Sequence, residues 1–224
     1  MPDAIPSRLI VAGTDTGVGK TVLSALLLVA FDGSYWKPVQ SGLEEETDSD
    51  AVLRMTGLPS ERIFPEAYRL TRPLSPDQSA EIDGVVIERR SLAPPAAERP
   101  LVIEGAGGVM VPYSSDLLQI DFFASLDAPL VLAARSGLGT LNHTLLTLEA
   151  LRMRGIECAG IVMIGAEHPA NRASLERWAE APVIGMIPML ERIDRAALLA
   201  TYREHFVPVD RWGMEMRESK GDEG

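Results

Sequence analysis

Residues Gly13-Thr14-Asp15-Thr16-Gly17-Val18-Gly19-Lys20-Thr21 bring three glycines, a lysine and several hydroxyls into nine consecutive positions. Those residue types suit the binding of a triphosphate. Glycines allow backbone N–H groups to turn inward and approach phosphate oxygens. A helix starting at the end of the run adds its positive N-terminus. Lys20 would reach the β- and γ-phosphates, and the Thr21 hydroxyl would face a Mg²⁺ ion. The spacing is a variant: the usual loop has a glycine five residues before Gly19, where Thr14 stands, and Gly13 lies one residue earlier still.

A second lysine, Lys37, occurs in WKPVQSG near the end of a short apolar run, and Glu104 ends the run LVIE. In a parallel sheet the carboxyl ends of the strands line the ligand crevice, so both belong on the rim that holds the phosphate loop. A hard cation beside phosphates takes one or two carboxylates together with hydroxyl and water oxygens. Glu104 suits that role, and Asp50, at the start of a helical pattern, is the expected second carboxylate, with or without a capping role.

The elements that must carry these residues alternate. Arg8–Gly13, Tyr35–Val39, Leu101–Glu104, Pro129–Ala134, Cys158–Ile164 and Val183–Ile187 read as strands. Gly19–Phe31 (ending near Ala30), Asp48–Met55, Thr140–Arg154, Ala170–Ala179 and Arg195–Phe206 read as helices. Strands that are apolar throughout and alternate with helices predict a parallel sheet covered on both faces, a three-layer α/β/α fold. Ser91–Pro100, rich in proline, reads as a surface connection, and Glu44-Glu45-Glu46 as a solvated face. One domain over residues 1–224 is expected, with a polar tail from about residue 213 that is frayed over Arg217–Gly224.

Composition narrows the class. Twenty-one Lys and Arg against thirty-two Asp and Glu give a net charge of −11, which argues against a general nucleic-acid or anionic-membrane binder. A single cysteine, Cys158, excludes an internal disulfide framework and a Cys-rich zinc site; it reads as an inert core thiol. Met1–Ser7 has no basic stretch and Val22–Phe31 is too short to span a bilayer, so a cytoplasmic protein without a signal peptide is expected. Trp178 and Trp212 read as packing or surface residues, and His143 as structural.

Taken in order, GTDTGVGKT (13–21), KPVQSG (37–42), SDA (49–51), LSPDQSA, EGAGGVMVP (104–112), LGTLNHTLLT (138–147) and the Gly185–Pro188 strand end resemble the dethiobiotin synthetases over most of the chain. The resemblance implies an ATP-dependent cyclo-ligase of biotin synthesis, with ATP as co-substrate and Mg²⁺ as cofactor. In that family CO₂ and 7,8-diaminononanoate (7,8-diaminopelargonate) form a carbamate, ATP phosphorylates it, and the second amine closes the ureido ring. Carried over by position, Gly13 to Thr21 with Glu104, Gly105, Gly107 and Gly108 surround the nucleotide. Thr21, Asp50 and Glu104 hold the metal, and Lys20, Lys37, Thr16 and Ser41 serve the reacting anions. Asp15 lies beside the metal and diamine region. The substrate also meets Lys37 and Ser41, and a helix start at Thr140, Leu141 and Asn142 from the partner subunit of a homodimer anchors its carboxylate.

Two positions depart from the family pattern. Several members have Glu where Gly17 stands. Members known for adenine binding often have Asn-Asp where this chain has Ile164-Gly165, which removes an amide able to pair with adenine and leaves the base to backbone groups near Pro188, Met189 and Leu190. A competing expectation is a nucleotide-switched dimeric partitioning-type assembly ATPase. Such proteins carry a lysine early in the loop, where this chain has Asp15. Cobyrinate amidotransferase-like synthetases add a glutaminase domain, for which 224 residues are expected to leave no room.

Overall fold

A computed structural model describes residues 5–212; the tail expected from about 213 lies outside them. The chain runs β1 (Arg8–Gly13), α1 (Lys20–Ala30), β2 (Ser34–Trp36), β3 (Val39–Ser41), α2 (Asp48–Thr56), β4 (Ile63–Phe64), β5 (Tyr68–Leu70) and α3 (Pro76–Asp83). It continues with β6 (Leu101–Gly108), β7 (Pro112–Ser114), β8 (Leu117–Leu118), α4 (Gln119–Ala124), β9 (Leu130–Arg135) and α5 (Thr140–Arg152). The last elements are β10 (Cys158–Ile164), α6 (Pro169–Trp178), β11 (Val183–Ile187) and α7 (Arg195–His205).

Seven strands form one parallel sheet in the order β11-β10-β9-β1-β6-β2-β4. Period-two alternation sends β1 side chains to opposite faces: Leu9 and Val11 meet α1 and α7 through Leu23, Leu26, Leu27 and Leu198, whereas Ile10 and Ala12 face Phe122, Phe123 and Leu151 of α4 and α5. Burial on both faces explains why the strands are apolar throughout. The result is the predicted three-layer α/β/α arrangement. All main-sheet strands point the same way, so the segments after β1, β2, β6, β9, β10 and β11 gather along one edge.

The expected strand Tyr35–Val39 is two strands. Pro38 has no N–H to give to a ladder, and the chain leaves the main sheet there; β2 pairs with β6, while β3 pairs with β5 in a separate two-stranded ribbon. Lys37 therefore sits at a break rather than inside a strand. The run LVIE is longer than predicted, since β6 continues through Gly108. The short elements β4, β5, α3, β7, β8 and α4 were not foreseen.

Trp212 is buried against Phe31 (centroids 5.7 Å apart) and Trp178 is exposed, in line with packing and surface roles. Glu44 and Glu46 pair at the surface with Arg72 and Arg54. The Cys158 thiol donates to Gly160 O at 3.6 Å, and burial pushes its pKa up to about 12. A thiol-specific reagent at pH 8 is expected to modify Cys158 more slowly than a free thiol, because the thiolate is the reactive form. Labelling of the folded protein at the rate seen in denaturant would contradict this. Among the described residues no helix is long and apolar enough to cross a membrane.

Candidate active site

The phosphate loop follows β1 and ends at Gly19, the N-cap of α1, whose φ of +98° favours glycine. Its lysine folds back over it: Lys20 Nζ donates to Asp15 O at 2.9 Å. Glycine at position 13 makes the room, because a Cβ there would lie 3.0 Å from that ammonium and 2.8 Å from Val18 Cγ2. Burial, aided by the charge of Lys37, lowers the Lys20 pKa to about 8.

Lys37 is 4% exposed, at the break after β2. Its Nζ is 2.5 Å from Asp48 Oδ2 and 3.3 Å from Glu104 Oε1. Burial alone would push its pKa down, but the two carboxylates outweigh that and raise it, so the side chain is a cation at neutral pH. Thr21 Oγ1 lies 2.6 Å from Asp48 Oδ1 and 3.0 Å from Glu104 Oε1. Tyr35, fully buried, donates its hydroxyl to Glu104 Oε2 at 3.1 Å. Burial and the neighbouring carboxylates push the Tyr35 pKa well up, so it stays a donor. Ser41 Oγ is buried and has no hydrogen-bond partner among the described residues.

The α2 acid beside Thr21 and Lys37 is Asp48, whereas Asp50, the acid expected from the sequence, turns to the start of its own helix. The Asp50 carboxylate is 2.5 Å from Thr47 Oγ1, and its N–H donates to the same hydroxyl at 3.2 Å. Thr47 is the N-cap of α2: its hydroxyl accepts the Asp50 N–H and donates to the Asp50 carboxylate. Positions one and three of a helix point about 200° apart, so the acid at the third position closes the cap while the acid at the first faces Thr21 and Lys37. Burial opposes ionisation of Asp48, but Lys37 and Thr21 outweigh it and its pKa is lowered.

Asp15 does not join the carboxylate cluster. Its Oδ1 accepts the Thr16 N–H at 2.7 Å and its Oδ2 accepts Arg135 Nη2 at 2.7 Å. Arg135, at the end of β9, also donates to Thr16 O at 3.3 Å and ties the loop to its neighbouring strand. The glycines after Glu104 divide. A Cβ on Gly105 would meet Phe123 and Gln119 at 2.6 and 2.9 Å, so this glycine serves packing. Gly107 and Gly108 pass beside Thr16 Oγ1 and Thr14 O. The segment is pinned by buried Gln119, which accepts from Ala106 N–H and Tyr113 OH and donates to Gly108 O. Arg135 and Gln119 have no motif that sequence reading could use.

Along the same edge, Ile164 packs on Gly19: a Cβ there would lie 3.0 Å from the isoleucine side chain. Pro188, Met189 and Leu190 follow β11, with Met189 exposed. The start of α5, at Thr140, Leu141 and Asn142, has Gly139 as N-cap (φ +90°) and no side-chain cap, and His143 is exposed. It does not touch the Lys37 cluster within one chain.

A parallel α/β/α sheet with a glycine-lysine-threonine loop after its first strand, and two carboxylates and a second lysine beside it, defines a P-loop NTPase-type protein. An AAA domain family (AAA_26) matches residues 7–197. The chain belongs, more closely, to the dethiobiotin synthetase family. It is 51% identical over 207 residues to the ATP-dependent dethiobiotin synthetase BioD of Rhodopseudomonas palustris (strain TIE-1), covering 92% of this chain and 98% of that one. It is 50% identical to the protein of the same name from Agrobacterium fabrum, over 89% of this chain and 94% of the other. Among solved structures, Cyanthece apo McdA is similar in fold (TM-score 0.52, 16% identity, 91% of each chain). So is an ADP-bound nucleotide-binding protein from Archaeoglobus fulgidus (TM-score 0.50, 14% identity, 93% of this chain and 92% of that chain).

Proposed function

We propose that this protein is an ATP-dependent cyclo-ligase that converts 7,8-diaminononanoate and CO₂ to dethiobiotin. One amine adds to CO₂ and loses a proton, giving a carbamate. A carbamate oxygen attacks the γ-phosphorus and the bond to ADP breaks. The second amine then attacks the carbonyl carbon of the mixed anhydride, phosphate leaves with the bonding pair, and the nitrogen gives up its proton as the ring closes. The observation that carries this reading is Lys37, a buried ammonium held by Asp48 and Glu104 on the phosphate-loop rim. Buried lysines are rare, and two anions that must meet need a fixed cation between them.

Lys20 steadies the triphosphate, and the hydroxyls of Thr16 and Ser41 donate to phosphate and carbamate oxygens. The orphaned Ser41 hydroxyl fits that task. The donor set of Thr21, Asp48 and Glu104 is all oxygen and would suit Mg²⁺, which when bound supplies charge neutralisation at the phosphates. The α5 start of a partner subunit would hold the substrate carboxylate on its free N–H groups at Leu141 and Asn142. Leu138, Leu146 and Met153, exposed at the start and along the outer face of α5, support a homodimer built on that helix.

The test is phosphate release measured with and without each substrate, over a panel of nucleoside triphosphates. Release is expected to need both diamine and bicarbonate, with dethiobiotin as product. Hydrolysis stimulated by DNA or lipid and indifferent to diamine would overturn the reading in favour of an assembly ATPase. Weak discrimination among bases is expected, since Ile164 offers no polar group and Gly165, at φ +127° with Ser136 Oγ 2.7 Å from where a Cβ would sit, leaves no place for a side chain.

A further inference from the structure

We infer that Asn171 is a positioning residue for the substrate carboxylate: from α6 it fixes the loop that aims the N-terminus of α5. The inference rests on the reaction proposed above. The loop Ser136–Gly139 joins β9 to α5 and has little to hold it. A Cβ on Gly137 would touch nothing within 4 Å, and Gly139 sits at φ +90°. A Gly-x-Gly stretch is entropically costly to fix, and no side chain caps the helix that follows.

Asn171 supplies the missing restraint. Its amide donates to Ser136 O at 2.8 Å and to Gly137 O at 3.2 Å. Gly137 O also accepts the Thr140 N–H at 3.3 Å, so the amide and the first turn of α5 share one acceptor. Asn171 is itself set in the first turn of α6, where its N–H donates to His168 Nδ1 at 3.3 Å. Ser136 N–H, donated to Ile164 O at 3.0 Å, holds the other side of the loop to β10. Small displacements of a positioning group are expensive in rate or binding. The carboxylate of the diamine takes no part in bond making, so a displaced anchor weakens diamine binding and leaves the ATP half of the reaction intact.

The experiment compares Asn171→Asp, Asn171→Ala and Asn171→Gln in the full chain. The substrates are 7,8-diaminononanoate and a vicinal diamine of equal length ending in methyl instead of carboxylate. The Asp and Ala variants are expected to raise KM for the carboxylated diamine roughly tenfold, with kcat and the KM for ATP within about twofold. The Gln variant, which keeps the donor, recovers part of the loss. The methyl-ended diamine, poorer for every protein, is expected to show the same kcat/KM in wild type and variants. An unchanged KM, or equal losses with both diamines, would overturn the role of Asn171 while leaving the reaction standing. A wild-type protein that turns over neither diamine sinks the reaction and this role with it.

Discussion

Lys37→Gln is expected to lower the rate of dethiobiotin formation by about 100-fold or more, while nucleotide affinity changes by less than about threefold. The unequal effect follows from where the two lysines stand. Lys20 lies across the phosphate loop itself, on Asp15 O, and in the proposed reaction its charge would serve a triphosphate that binds whether or not reaction follows. Lys37 approaches from the β2 break and is held in place by Asp48 and Glu104. In the proposed reaction its charge would count most when the carbamate and the γ-phosphate are brought together, a charge arrangement present only on the way to the anhydride. Glutamine removes the charge and, though one atom shorter, keeps an N–H donor for the carboxylates, so the fold survives better than with an apolar replacement, which would leave Glu104 and Asp48 without any donor. Calorimetric nucleotide titration beside steady-state kinetics separates the two quantities. A loss of affinity as large as the loss of turnover would move Lys37 into ground-state binding and remove its proposed role.

The placement of these two lysines on one rim was legible in the sequence because each sits in a motif bounded by glycine or proline, and such punctuation fixes local geometry. The strands were legible for a similar reason: a sheet buried on both faces demands apolar runs such as LIVA and VLAA, and β10 and β11 fall at the predicted limits. What the sequence hid depends on distant pairing. Arg135 meets Asp15 across 120 residues and Tyr35 meets Glu104 across 69. Neither has a pattern, since the partners are brought together only by the order of strands β2-β6-β1-β9. Ribbons such as β3–β5 and β7–β8 are too short for a periodic signal and form where the main sheet leaves backbone groups to be paired. The placement of the two acids of α2 is different, because the information is local: Asp48 lies beside Thr21 and Asp50 beside the Thr47 hydroxyl. Thr47 is an N-cap whose hydroxyl holds the Asp50 N–H and carboxylate, and in this arrangement Asp48 is the acid that faces Thr21 and Lys37.

That local distinction gives the second large effect. Asp48→Asn is expected to lower turnover by about 100-fold and to raise the Mg²⁺ concentration for half-activation at least about tenfold, since a neutral amide is a poorer ligand for a hard cation than a carboxylate. Two features make Asp48 the right group. Its oxygens lie within 2.6 Å of the Thr21 hydroxyl and 2.5 Å of Lys37, and those neighbours keep it ionised in spite of its burial. Asp50→Ala removes only the carboxylate that accepts the Thr47 hydroxyl and keeps the capping N–H, so a slightly lower melting temperature is expected, with turnover and Mg²⁺ dependence within about twofold of wild type. The pair is informative because the two acids are two residues apart on one helix turn, so general damage to α2 would affect both variants alike. The reverse pattern, with Mg²⁺ dependence shifted by Asp50→Ala and unmoved by Asp48→Asn, would mean that the Thr47 cap opens when nucleotide binds and that Asp50 turns into the site. In that event the contact of Asp50 with the Thr47 hydroxyl would be a feature of the free enzyme only, and Asp48 would serve Lys37 alone.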